Sequence, residues 1–288
     1  MQNSWTAVPL FLMRLGLALF FLLSLPRGGE CHAERSVLRV SDRKIISFSR
    51  MMDEIKGTQV VVIGENHDNP EHHQLQLDVI DAFHQADRPL VIGLEMFNAD
   101  NQRQLDRWIA GKLDKPSFIR LYYDNWRMPW SLYSEIFLYA RDHGIPLLGL
   151  NIEQGIPQKV ARRGFGSLTR KELKKVPSGI TCDVDAAYMA FIRRAYTTHT
   201  RDEKSFVHFC EAQKLWNVAM ASRIIGYFEK HVGQTMVVLT GTGHALKRGM
   251  PAEIGQSSHL TYKVILPEFP EMARKDVTVN DADYMILE

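Results

Sequence analysis

The sequence predicts an α/β fold with a mostly parallel central sheet flanked by helices and a helical insertion before the last core strand. Three observations carry that expectation. Apolar runs rich in β-branched residues recur at "QVVVIG" (59–64), "PLVIGLEMF" (89–97), "IPLLGLNI" (145–152) and "TMVVLTGTG" (235–243). Amphipathic helical stretches separate them, as in a sheet buried on both faces. Each run is followed by polar or ionisable residues, where ligands bind in open parallel sheets.

The chain has 288 residues, 45% hydrophobic and 24% charged. That suffices for one large core. The formal net charge of +2 points to neither nucleic acid nor an anionic membrane surface as the main partner. At the N-terminus "LGLALFFLLSL" (15–25) follows Arg14 and precedes a small residue, Ala33. This reads as a signal peptide over residues 1–33, leaving a single domain over 34–288. Cys31 offers a lipoprotein alternative, but Glu30 sits where a small residue is required, so plain export is the expectation. Cys182 and Cys210 then remain, either paired or as buried thiols.

After the first run, Asn69 caps a helix and Pro70 opens it. His72 and His73 fall on its first turn and read as surface residues. "NADNQRQLDRWIAGKL" and "PWSLYSEIFLYARDHG" give further helices, the second closed by Gly144. The helical insertion spans about 155–208. It is basic first ("KVARRGFGSLTRKELKK"), then aromatic ("DAAYMAFIRRAYTTH"). A long helix over 209–231 leads to the fourth run, and "LTYKVILP" (260–267) reads as an edge strand.

The strand ends supply Glu65 and His67, Glu95, Asn151 and Glu153, then Thr240, Thr242 and His244. Glu65, His67, Glu95 and His244 are the catalytic candidates. Glu65, His67 and His244 form a candidate divalent-metal set, because imidazole and carboxylate together suit such ions and activate water. Without metal, two neighbouring carboxylates would raise the pKa of one.

"VIGENHDNPEHHQLQLDVI", "LEMF", "FCEAQKLWNVAMA" and "VVLTGTGHALKRGMPAEI" resemble the ChaN-like haem-binding uptake family of the Tiki superfamily, over about residues 57–256. The resemblance implies an exported bacterial protein, periplasmic or membrane-attached, with two haems stacked face to face in a homodimer and an outer-membrane haem receptor as partner. It also implies hydrolase relatives, among them metal-dependent peptidases and erythromycin-esterase-like enzymes, with active residues at Glu65, His67, Glu95 and His244. Met250 stands where the family usually has isoleucine or valine. No CxxCH is present, so covalent c-type attachment is excluded. Non-covalent haem needs an apolar slot, an axial ligand and cations for its propionates. Tyr188, Tyr196 and His199 in the insertion are the candidate ligands, with Arg193 beside them, and Tyr122, Tyr123, Trp126 and Trp130 form a rival aromatic cluster.

Overall fold

The computed structural model describes residues 1–2, 35–196, 202–269 and 272–287. The expected signal-peptide cut, Cys31 and His199 therefore lie outside the described residues. Glu34–Glu288 forms one compact unit.

Eight strands make one sheet: β1 (Ser36–Arg39), β2 (Lys44–Ser47), β3 (Val60–Glu65), β4 (Leu90–Asn98), β5 (Leu147–Asn151), β6 (Thr235–Gly241), β7 (Tyr262–Pro267) and β8 (Tyr284–Ile286). Their order is β2-β1-β8-β7-β3-β6-β4-β5. From β8 to β5 every pairing is parallel, and only the β1–β2 hairpin and its join to β8 are antiparallel. The four apolar runs are the four strands β3 to β6. The run at 260–267 is a correction: β7 sits inside the sheet between β8 and β3. Its alternation reflects the exposure of Tyr262 and Lys263 at one end; its last four residues are buried.

The helices are α1 (Phe48–Ile55), α2 (Pro70–Gln85), α3 (Gln102–Ile109), α4 (Lys115–Asn125), α5 (Trp130–Asp142), α6 (Gly155–Arg163), α7 (Arg170–Leu173), α8 (Ala186–Tyr196), α9 (Glu203–Phe228), α10 (Thr242–Ala245) and α11 (Met250–Ser257). Successive strand residues point to opposite faces. Val61, Ile63, Ile92 and Val237 pack with Leu75, Val79 and Phe137 from α2 and α5. Val60, Val62, Val91 and Val238 pack with Met220, Ile224 and Ile254 from α9 and α11. Both faces are covered, which is why these strands are apolar at every position rather than at alternate ones.

Asn69 caps α2 as its sequence position implies, accepting from the Glu71 amide at 2.9 Å, and Gly144 closes α5 with φ +66°. The insertion folds as α6, a 3-10 turn (Phe165–Ser167), α7 and α8. The long helix starts earlier than its apolar pattern implies, at Glu203. Asp202 fixes that start by accepting from the Ser205 amide.

Candidate functional site

The parallel register assembles the site. Glu65 at the end of β3 lies opposite Gly241 of β6, and Leu94, just before Glu95, lies opposite Leu239. Glu65, Glu95 and the Thr240–His244 turn therefore share one edge.

Glu65 is 2% exposed and its carboxylate is fully engaged. It accepts from His67 Nδ1 at 2.7 Å, Gln76 Nε2 at 2.7 Å and the Tyr133 hydroxyl, while His73 Nδ1 stands 3.3 Å away. Burial pushes its pKa up, but the hydrogen bonds and charges of His67 and His73 prevail and hold it well below the usual carboxylate range. The raised carboxyl anticipated from two adjacent acids is therefore not at Glu65. Imidazoles, not Glu95, dominate its surroundings. For His67 burial pushes the pKa down, but the Glu65 hydrogen bond and the charges of Glu95, Glu65 and Asp68 raise it to about 9. His67 is thus an imidazolium at neutral pH.

His72 and His73 are corrected from surface residues to buried ones, at 2% and 3% exposure. The first turn of α2 leans on the strand end. His72 Nδ1 accepts from the Asn66 amide, and His73 stacks on Tyr133 at 4.1 Å while donating from Nε2 to the His67 carbonyl.

The opposite wall is Glu95 and His244. One Glu95 oxygen accepts from the Thr240 hydroxyl at 2.5 Å and the Gly241 amide at 2.7 Å. Its other oxygen lies 3.8 Å from His244 Nε2. His244 Nδ1 donates to Asn217 Oδ1 at 2.7 Å, and burial lowers the pKa of the ring. The ring is therefore neutral, with its Nε2 lone pair free. Gly241 permits the approach of the two walls: a Cβ there would stand 2.9 Å from His67 Cε1. Asn151 also belongs here, donating to the Glu95 carbonyl, whereas Glu153 points away to Lys175.

Two cavities meet at these rings. One, of about 790 Å³, is walled by Phe191, Ile192, Phe209, Phe269 and Met128, with Arg194 at its margin. The other, of about 410 Å³, is lined by Trp126, Trp216, Gln154, Gln158 and Arg127. His67, His244, Met128 and Gln213 line both.

The insertion candidates divide. Tyr188 is 1% exposed and serves the floor from behind. Its hydroxyl donates to the Gly243 carbonyl and accepts from Asn217 Nδ2, both at 3.0 Å. Tyr196 packs on Phe206 and Phe209. Arg193 pairs with Glu203 at 2.8 Å and lies over the Phe206 ring. Phe191, Ile192 and Arg194 of the same helix are the ones that reach the larger cavity. In the rival cluster Tyr122 and Trp130 are packed in the core, and Trp126 lies edge-on to His67 at 4.9 Å.

Among the described residues no group of three or more His, Cys, Asp or Glu side chains is arranged to hold a metal ion. The divalent-metal expectation for Glu65, His67 and His244 is thus not supported. The reason is local: both Glu65 oxygens and the Nδ1 atoms of His67 and His244 are spent on protein partners. Tyr133 and Asn217 were missed from sequence because each meets the site from a helix distant in sequence, and Gln76 because its position in α2 reads as ordinary helix. Gln76, inside "VIGENHDNPEHHQLQLDVI", and Asn217, inside "FCEAQKLWNVAMA", lay in stretches that resembled a known family, but Tyr133 did not.

Comparison with known proteins places this arrangement. The structure of cofacial haem binding to ChaN of Campylobacter jejuni superposes with a TM-score of 0.70 at 18% identity, covering 88% of this chain and 97% of that one. An erythromycin esterase mutant in its open conformation gives 0.51 at 12% identity, covering 88% and 82%. At these identities the similarity is one of fold. A curated Arabidopsis thaliana protein, RETICULATA-RELATED 5, chloroplastic, is 24% identical over 257 residues, covering 82% of this chain. The chain spans only 35% of that relative's length. The family model for haem-binding uptake, Tiki superfamily, ChaN matches residues 51–254, most of the chain, and on that match the protein belongs to this family.

Proposed function

We propose that the protein binds haem non-covalently in the larger cavity and works in bacterial haem or iron acquisition. One observation carries this reading: a cavity of about 790 Å³, with Phe191, Ile192, Phe209 and Phe269 in its wall, has a neutral and a cationic imidazole in its lining. Its volume lies within the ~300–1,000 Å³ usual for small-molecule and cofactor sites. The residues fit the group. Phe191, Ile192, Phe209 and Phe269 suit a planar apolar ring. His244 offers a lone pair at Nε2, while His67 and Arg194 offer positive charge to carboxylates. Bound haem would supply an iron centre for ligation and electron transfer. Export through residues 1–33, a periplasmic or membrane-attached location, a homodimer with facing haems and a receptor partner complete the reading.

The test is a haemin titration of Glu34–Glu288 followed at the Soret band, with mass measured in solution. Saturable binding is expected, weakened at least tenfold in His244→Ala and in Phe191→Asp, with Tyr188→Phe altering stability more than affinity. Unsaturable binding, or equal affinity in the variants, would overturn the reading.

A second reading, a hydrolase, is favoured by one arrangement. Glu65 orients the Nδ1 of His67, and Glu95 faces both imidazoles across the smaller cavity. A carboxylate-held imidazole is the usual form of a general acid–base group. Ester cleavage that disappears in both His67→Ala and His244→Ala would support it, and chelator sensitivity would reopen the question of metal.

A further inference from the structure

The overall charge hides a local concentration. Residues 159–175 carry seven basic side chains and one acid, Glu172, on a chain with 35 Lys and Arg against 33 Asp and Glu. Two of the seven are paired, Lys159 with Glu172 at 2.7 Å and Lys175 with Glu153 at 2.6 Å. Arg162, Arg163, Arg170, Lys171 and Lys174 are exposed and have no carboxylate partner among the described residues. Among them stands Leu173, apolar and 41% exposed.

The patch is held on a fixed support. Ile156, Val160, Leu168 and Ile180 pack on Ala212 and Leu215 of α9 in a small core of their own. Gly164, at φ +80°, turns the chain between α6 and the 3-10 turn; a Cβ there would strike the His208 ring at 2.8 Å. The Phe165 amide donates to Glu211 at 2.7 Å, and the Lys159–Glu172 pair ties α6 to α7. One turn before Arg162 on α6, Gln158 lines the smaller cavity. The α6 end of the patch thus lies one helical turn from a residue that lines the smaller cavity.

We propose that the α6–α7 face is a docking surface for an anionic lipid bilayer. Charge complementarity selects an anionic partner. An apolar side chain standing among cations selects a lipid surface, where Leu173 enters the acyl boundary while the cations meet headgroup phosphates. A nucleic acid backbone offers the charge but no place for the leucine. This inference is independent of what the cavities hold.

The test uses Glu34–Glu288, which carries all eight strands and lacks the apolar leader that would itself partition into lipid. Sedimentation with phosphatidylglycerol-rich vesicles is compared with pure phosphatidylcholine vesicles at low and high salt. Binding is expected only to the anionic vesicles and is expected to weaken with salt. Each cation near such a surface contributes about fivefold to partitioning, so the combined Arg162→Gln, Arg163→Gln, Lys171→Gln and Lys174→Gln variant should lose at least tenfold. Leu173→Gln should lose less but measurably, and circular dichroism should show both variants folded. Equal binding to both vesicle types, undiminished binding by the folded fourfold variant, or binding to duplex DNA without binding to vesicles would overturn the proposal.

Discussion

Glu65 and His67 form an ion pair whose members titrate at opposite ends of the pH scale. His67 has its pKa raised from 6.5 to about 9. Its contribution to stability is full below pH 6.5 and is lost as pH rises through about 9. Glu65 has its pKa lowered from 4.5, so its contribution is present above pH 4.5 and is lost as pH falls well below that. Between 4.5 and 6.5 both are intact. The melting temperature of the protein should therefore decline from pH 6.5 to 9, and His67→Gln should flatten that decline; an equal slope in the variant would assign it to other groups. The four strand-end residues were legible because a chain ending an apolar strand has few places to put its next side chain. His73, Gln76 and Tyr133 were not, since nothing in a helix's own periodicity says that its first two turns lean over a neighbouring strand end. The same periodicity that marks a core tyrosine marks a ligand tyrosine, and Tyr188 shows why spacing alone could not separate them.

Helix α8 is the element on which the larger cavity depends, for it supplies Phe191, Ile192 and Arg194. Two ties hold it. Cys182 is disulfide-bonded to Cys210 of α9, 28 residues away in sequence, and Asp185 accepts from Arg248 at 2.8 Å. The two cysteines were visible from the start, yet pairing is a property of the fold and of the compartment, and neither can be read from two isolated letters. Closing a loop of this length contributes about 3.5 kcal/mol in the chain-entropy account. The Cys182→Ala, Cys210→Ala double variant should lose about that amount in chemical denaturation. Hydrogen exchange should rise first over residues 177–196. A loss spread evenly over the sheet would show that the bond does not act through α8.

At the scale of the molecule, the sheet must protect its two edges. On the β2 side it does so with a four-residue strand. On the β5 side it uses Gln102 of α3, whose amide donates to the Leu147 carbonyl at 2.7 Å and whose oxygen accepts from the Gly149 amide at 3.1 Å. Gln102→Ala strips both partners from the strand and should cost about 1–2 kcal/mol in urea unfolding. A neutral result would show that water replaces the amide at no loss. The parallel centre of this sheet was legible because burial on both faces writes an unbroken apolar run. The flank of β1, β2 and β8 was not, because strands of three or four residues are too short to show a period. Sheet order lies beyond any local pattern, which is how β7 came to read as an edge.

His67 and His244 stand as a party wall between the two cavities. A molecule lodged on either side touches rings that also line the other side. Any change that a guest on one side makes to the affinity for a guest on the other is reciprocal: each alters the other's affinity by the same factor.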